Sequence, residues 1–423
     1  MADFEIKDGV AVIPEGTTEI GSRALIWCTD LKSVVIPEGV TKIGDRAFSG
    51  CKNLTSVVIP ESVTEIGFDA FWGCTSLKSI VIPESVKEIE SSVFSGCTGL
   101  TSVVIPEGVT KIGDKAFSGC TNLTSVVIPE SVTEIGFDAF WNCTSLKSIV
   151  IPESVTEIEH SAFRDCTGLT TIVIPKGVTK IGYQSFTDCP DLTSIVVDDG
   201  NKVYDSRKNC NAIIETESNV LVAGCKTTAI PESVTKIAKR ALSGCTGPTD
   251  LVIPDSVTEI GFDAFKDCIG LTRIVFSESI TEIGTRAFSG CTSLTSIVFP
   301  GSVTKIEPDV FNGCTSLTDV IISKGVTEIG FNAFRCCTSL ANVVISEGVM
   351  EIVSNAFRAC SSLANITLPP GIKKIAKDAF IGCTGITTIN VPAKKADYYK
   401  KRLPEELHQF IVEMAPVKTA KKK

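Results

Sequence analysis

Residues 54–74 read Leu54-Thr55-Ser56-Val57-Val58-Ile59-Pro60-Glu61-Ser62-Val63-Thr64-Glu65-Ile66-Gly67-Phe68-Asp69-Ala70-Phe71-Trp72-Gly73-Cys74, and almost every other stretch of the chain is a copy of this one. The pattern restarts at Leu77, Leu100, Leu123, Leu146, Leu169 and Leu192, every 23 residues, and resumes at Leu271, Leu294, Leu317, Leu340 and Leu363. A self-similar period in the twenties is the signature of a solenoid, whose units cannot bury an apolar face alone and are covered by their neighbours. Because each turn meets only the next, a chain of 423 residues need not divide into separate globules.

Counted from the leading leucine as position 0, the apolar residues of this stretch fall at +3, +5, +9, +12, +16 and +17, with cysteine at +20. Val57, Val58 and Ile59, closed by Pro60, predict a short strand. Val63-Thr64-Glu65-Ile66 predicts a second, shorter extended piece, and Gly67 marks a turn. Asp69-Ala70-Phe71-Trp72 is read as one helical turn that carries Ala70 and Phe71 inward.

A second period lies above the first. Residues 31–99 and 100–168 differ at only nine positions, so a block of three repeats is duplicated. Position +11 displays it: Lys42, Glu65, Glu88, Lys111, Glu134, Glu157 and Lys180, then Lys236, Glu259, Glu282, Lys305, Glu328, Glu351 and Lys374. Stacked turns put these side chains about 5 Å apart, the spacing of paired strands. A lysine every third turn relieves the repulsion of a glutamate column, which predicts a solvated charged face.

Eighteen cysteines would suggest a disulfide framework in a small secreted protein, but fifteen of them recur at one position of the repeat, from Cys28 and Cys51 to Cys360 and Cys383. That predicts a column of buried thiols, each a weak S–H donor to the turn beside it. Zinc needs two close pairs or Cys/His clusters, and the adjacent Cys336-Cys337 has the wrong spacing, so no metal or other cofactor is expected. The net charge of −9 is spread among 40 basic and 49 acidic residues, without the basic stripe that nucleic acid requires. No run of about 18 apolar residues predicts a membrane span. Met1 to Lys7 lacks a basic start followed by an apolar run, so a native start would keep the protein inside the cell.

Two segments leave the frame. From Leu192 to Cys225, which takes the next zero position, is 33 residues, ten more than the period. Asn211 to Glu215 and Val220 to Val222 around Thr216-Glu217-Ser218-Asn219 predict a β-hairpin. After residue 392, Tyr398, Tyr399, Leu403, Leu407, Phe410 and Ile411 stand at helical spacing and predict a helical cap over the last turn, followed by a basic tail from Lys418 to Lys423.

Over about residues 8–392, the recurrence of Pro60, Ile66-Gly67, Ala70-Phe71 and Cys74 at fixed offsets resembles the BspA-like, or Treponema-type, leucine-rich repeat of bacterial surface proteins. The resemblance implies a curved, right-handed α/β solenoid with a parallel sheet. With the reading above, each 23-residue repeat has one short parallel strand and one short helical turn. The chain is expected to divide into an N-terminal capping repeat (1–30), leucine-rich repeats (31–191), an irregular repeat with a hairpin insertion (192–224), further repeats (225–392) and a C-terminal helical cap with a basic tail (393–423). The resemblance also implies a protein-binding or adhesive role at the cell surface or in secreted form, with a host or extracellular-matrix protein as partner. The capped solenoid is expected to be a monomer.

His160 and His408 are the only histidines and lie far apart in the sequence, so no nucleophile–base pair is assembled around them. Carboxylate pairs recur in every turn, which describes a surface rather than an active site. No enzyme is expected. Binding candidates lie among outward residues. Val58, Val81, Val104, Val127 and Val150 form a ribbon on the strand face that would dock a protein, or merely reflect the β-propensity of valine. Phe68 with Trp72, and Phe137 with Trp141, stand four apart and would share a helical face as aromatic spots, or else pack on the adjoining turn. The two functions in view are a binding or adhesion module and an intracellular structural scaffold without a dedicated ligand.

Overall fold

The computed structural model describes residues 4–415. The chain forms two compact units, one of residues 4–217 with 223–227 and the other of residues 218–222 with 228–415. The basic tail expected from Lys418 lies outside the described residues.

Each unit is a stack of short parallel strands. In the first, Val10–Val12, Ser33–Val35 and Ser56–Val58 pair in parallel, Ile6–Lys7 closing the edge antiparallel to Val10–Val12. Ser79–Val81, Ser102–Val104 and Ser125–Val127 continue the pattern, as do Thr171–Ile174 and Ser194–Val197. The register is one period: Ser102 faces Ser125 and Val103 faces Val126. It cannot slip, because the central residue of each triplet, such as Val57 or Val103, is buried while its neighbours face water.

A second row of two-residue strands runs beside the first, through Lys111–Ile112, Glu134–Ile135, Glu157–Ile158 and Lys180–Ile181. The expected relief of charge is present, with Lys42 Nζ 2.6 Å from Glu65 and Lys111 Nζ 2.8 Å from Glu134. These pairs are exposed and contribute little to stability.

The helical turn expected at Asp69–Trp72 is absent. Alternate amides there close β-turns, with Ala70 N donating to Gly67 O and Trp72 N to Asp69 O. The intervening amides point along the stack: Asp69, Phe71 and Gly73 donate to Ser91 O, Val93 O and Ser95 O of the next turn, at 2.7 to 3.0 Å. Left-handed residues at Asp69 (φ 56°) and Gly73 (φ 67°) break any helix. The reason is the spacing of the stack. Paired strands hold successive turns about 4.8 Å apart, whereas packed helices need about 8–10 Å. A flat ladder of turns fits that repeat.

The interior is built from columns. Phe48, Phe71, Phe94, Phe117, Phe140, Phe163 and Phe186 stack with ring centroids 5.2 to 5.7 Å apart. Beside them Cys74 Sγ donates to Phe48 O at 3.2 Å and Cys97 Sγ to Phe71 O at 3.1 Å, and the same bond recurs down the thiol column. At the end of this unit, Tyr204–Asp205 pairs antiparallel with Ala212–Glu215. The Tyr204 hydroxyl accepts the Ile181 amide at 3.1 Å, satisfying a donor of the last two-residue strand.

In the second unit, Asp250–Val252 and Arg273–Val275 open a parallel row that runs through Asp319–Ile322 and Asn342–Ile345 to Thr388–Val391. Phe265, Phe288, Phe311, Phe334, Phe357 and Phe380 stack within it. The terminal segment is less helical than expected. Ala396–Lys400 is a short α-helix and Glu405–Phe410 a 3₁₀ helix, separated at Pro404, which has no amide to continue a helix. Ile411, expected on the helical face, instead starts the strand Ile411–Glu413, which pairs in parallel with Thr388–Val391. Tyr399 is fully buried over the last turn, and Tyr398 donates its hydroxyl to Ile372 O at 2.7 Å.

Candidate functional site

The strand face of the first unit carries a row of outward valines. Val58 and Val150 are 78% exposed, Val81 74%, Val104 63% and Val127 58%. Each follows a buried residue and precedes a buried isoleucine, so the alternation of the strand alone turns it outward. Beside the row the hydroxyls are directed to the backbone, Thr124 Oγ1 donating to Thr101 O at 3.0 Å and Thr55 Oγ1 to Lys32 O at 3.0 Å. Three residues beyond each valine stands an exposed glutamate, and Glu15, Glu38, Glu61, Glu84, Glu107, Glu130 and Glu153 hold this place in seven successive turns. Among the described residues only Glu153 of these is ion-paired, to Lys176 at 2.5 Å. The acidic row is legible in the sequence as a recurring Pro-Glu step.

The aromatic candidates are part exposed and part packed. Phe68 lies beneath the Arg46 guanidinium, 5.0 Å from ring centre to Cζ, and Phe137 beneath the Lys115 ammonium at 5.5 Å. Arg46 Nε also binds Asp69 Oδ2 at 2.9 Å. Trp72 meets Trp27 edge-on at 5.7 Å, while Trp141 donates Nε1 to Asp165 Oδ2 at 2.7 Å. Since the segment is not helical, Phe68 and Trp72 share no helical face: Phe68 lies under Arg46 and Trp72 against Trp27. In the second unit, Phe262 is held between Arg240 and Arg286, and the buried Asp263 accepts both guanidinium groups at 3.1 and 2.9 Å. This cluster is internally ion-paired.

The reactive side chains are arranged for packing. Burial pushes the Cys51, Cys120 and Cys166 thiols up to about 12, which keeps them protonated at neutral pH. His160 stacks on Tyr183 at 5.2 Å and accepts its amide through Nδ1 at 2.8 Å, whereas His408 Nε2 lies 3.1 Å from Leu403 O. Among the described residues, no three His, Cys, Asp or Glu side chains are grouped to hold a metal ion, and no helix is long and apolar enough to cross a membrane.

The model of the BspA type leucine rich repeat region, in six copies, matches residues 10–111, 87–213, 222–311 and 285–401. A leucine-rich repeat protein of Bacteroides ovatus is 29% identical over 96% of this chain and 94% of that one, with a TM-score of 0.62. A leucine rich cell surface protein of Faecalibacterium prausnitzii is 31% identical over 94% of each chain, with a TM-score of 0.61. The pneumococcal vaccine antigen PcpA, 18% identical over 98% of each chain at a TM-score of 0.57, shares the fold. No curated protein matches the chain. The recurring Leu, Ile-Pro, Ile-Gly, Ala-Phe and Cys positions, their stacked columns and these matches place the chain in the BspA-type leucine-rich repeat family.

Proposed function

We propose that this protein is a noncatalytic binding module of the adhesive kind, acting outside the cell as a monomer and docking a partner protein on the strand face of its first unit. The observation that carries the reading is the row from Val58 to Val150. The row is unbroken over the first unit, and contiguous exposed apolar surface marks interaction sites. The glutamates beside the row add charge selectivity, favouring partners with basic groups at the rim. The likeness to a cell surface protein of Faecalibacterium prausnitzii supports the location.

The test is binding of the full chain to purified extracellular-matrix proteins, comparing the wild type with Val58→Lys/Val81→Lys/Val104→Lys. These positions are exposed, so folding should be retained. Loss of roughly tenfold or more in affinity is expected for a contact centred on the row. Equal binding by the variant removes the strand face. No binding at all, together with cytoplasmic fractionation of the native protein, leaves the intracellular scaffold.

A further inference from the structure

The first turn departs from its successors at position +19. Where later turns carry Gly50, Gly73 and Gly96, it carries Trp27, held in the left-handed region at φ 59°. The indole lies directly on Gly50, where a Cβ would stand 2.2 Å from Trp27 Cε3. It meets Trp72 with ring centroids 5.7 Å apart at an interplanar angle of 77°. The two indoles, 53% and 39% exposed, wall a groove of about 380 Å³ that Arg23, Arg46, Ser49 and Asp69 also line.

The duplication supplies an internal comparison. Sixty-nine residues on, Trp141, Asp138 and Ser118 repeat Trp72, Asp69 and Ser49, and Lys115 replaces Arg46. Gly96 and Ser92, however, stand where the first copy has Trp27 and Arg23. The second copy therefore has one aromatic wall and one cation, and the first has two of each.

We infer that this groove binds a single pyranose unit bearing a carboxylate, the chemistry shared by hexuronic and sialic acids. Two indole faces near a right angle fit a puckered ring that presents C–H groups on more than one side, and a flat base would use only one of them. The volume suits one sugar residue and is at the small end of ligand sites. Arg46 spends Nε on Asp69 Oδ2, which leaves its terminal amino groups and Asp69 Oδ1 for ring hydroxyls. Two guanidinium groups against one carboxylate give the groove a net positive charge within a chain of net charge −9, and a carboxylate on the ligand complements it. The site lies on the turn face and does not depend on the strand-face reading.

The experiment uses the full chain carrying Trp141→Phe, so that Trp27 and Trp72 are the only indole reporters of the three tryptophans. Emission is followed on titration with glucuronic acid, N-acetylneuraminic acid and glucose, with thermal unfolding as a second readout because a ligand of the folded state raises the midpoint. Saturable change with at least one acid is expected, with glucose much weaker. Arg23→Gln should weaken the acid roughly tenfold, as loss of one charge-assisted contact, and leave glucose unaffected. Trp72→Phe should weaken it by a smaller factor while the fold is kept. Response to glucuronic acid alone points to uronate polysaccharides, and response to N-acetylneuraminic acid alone to sialylated glycans; either supports the inference. No response to either acid overturns it, as does equal binding of glucose that Arg23→Gln leaves unchanged.

Discussion

The two units share an interior and differ in what their strand faces show to water. Both stack phenylalanine rings at 5.1 to 5.7 Å and both run thiols down a buried column. Both carry an outward apolar row, valine from Val35 to Val196 on the first and Val252, Val275, Val298, Ile321 and Val344 on the second, and threonine hydroxyls beside each turn back to the backbone. On the second, Asp319, Asn342 and Asn365 bond to one another along the face, Asn342 Nδ2 to Asp319 Oδ1 at 2.8 Å and Asn365 Nδ2 to Asn342 Oδ1 at 3.0 Å. The acidic row is also interrupted there, by Gly301, Lys324 and Pro370. The difference teaches that stacking constrains only what faces inward. An apolar row whose flanking polar groups already bond to one another gains less from a partner than one flanked by exposed serines such as Ser56 and Ser102.

The largest effect should appear where the units agree. Burial raises the thiols of Cys51, Cys120 and Cys166 to about 12 in the first unit and raises those of Cys268, Cys314 and Cys337 in the second, so each of these contributes stability that is complete below the ordinary thiol value near 8.5 and is lost as pH rises above it. The loss is about 1.4 kcal/mol for each of these thiols per pH unit, and together they exceed any single substitution. Denaturant midpoints under reducing conditions at pH 7.5, 9 and 10 should fall together for both units; a unit that resists alkali would break the equivalence of the interiors.

Next in size, Phe117→Ala and Phe311→Ala, each fully buried in its column, should cost about 3–5 kcal/mol apiece by chemical denaturation. A clear inequality between them would show that one stack is less tightly packed.

The faces should then separate the units. Val58→Lys/Val81→Lys/Val104→Lys should cost about 1.4 kcal/mol or more of partner affinity, and Val252→Lys/Val298→Lys/Val344→Lys should leave it unchanged. A loss from both sets, measured by equilibrium binding, would erase the distinction between the faces.

The smallest effect concerns the left-handed positions. Ala359 sits at φ 60° in the second unit where Gly50, Gly73 and Gly96 serve the first. Relief of the Cβ clash makes Ala359→Gly stabilising by about 0.5–1 kcal/mol, and Gly73→Ala should cost about as much in the thermal unfolding free energy. No change in Ala359→Gly would mean the strain is absorbed elsewhere.

Much of this was legible beforehand because a repeat reports each position many times. The single residue Cys74 says little, but thiols at one offset in turn after turn predict a buried column, and Cys74 and Cys97 both donate to the phenylalanine carbonyl 26 residues back. Lysine at every third +11 position predicted the ion pairs at Lys42 and Lys111 in the same way. The misread segment was Asp69–Trp72. Its inward Ala70 and Phe71 satisfy a helical pattern over four residues as well as they satisfy alternate turns, and nothing within one repeat distinguishes the two. Ile411 was misplaced for a similar reason, since the Pro404 break and the open edge of Thr388–Val391 outweighed its spacing.

Taken alone, the order of residues determined the period, the strand register, the buried columns and the outward valines, because each follows from a pattern repeated along one dimension. Only the stacked chain decided that the third side is a ladder of turns, because the narrow gap between neighbouring strands excludes a helix from every turn. It also decided that Trp27 reaches across Gly50 to Trp72, a contact between residues two periods apart that depends on a missing side chain in the turn between them.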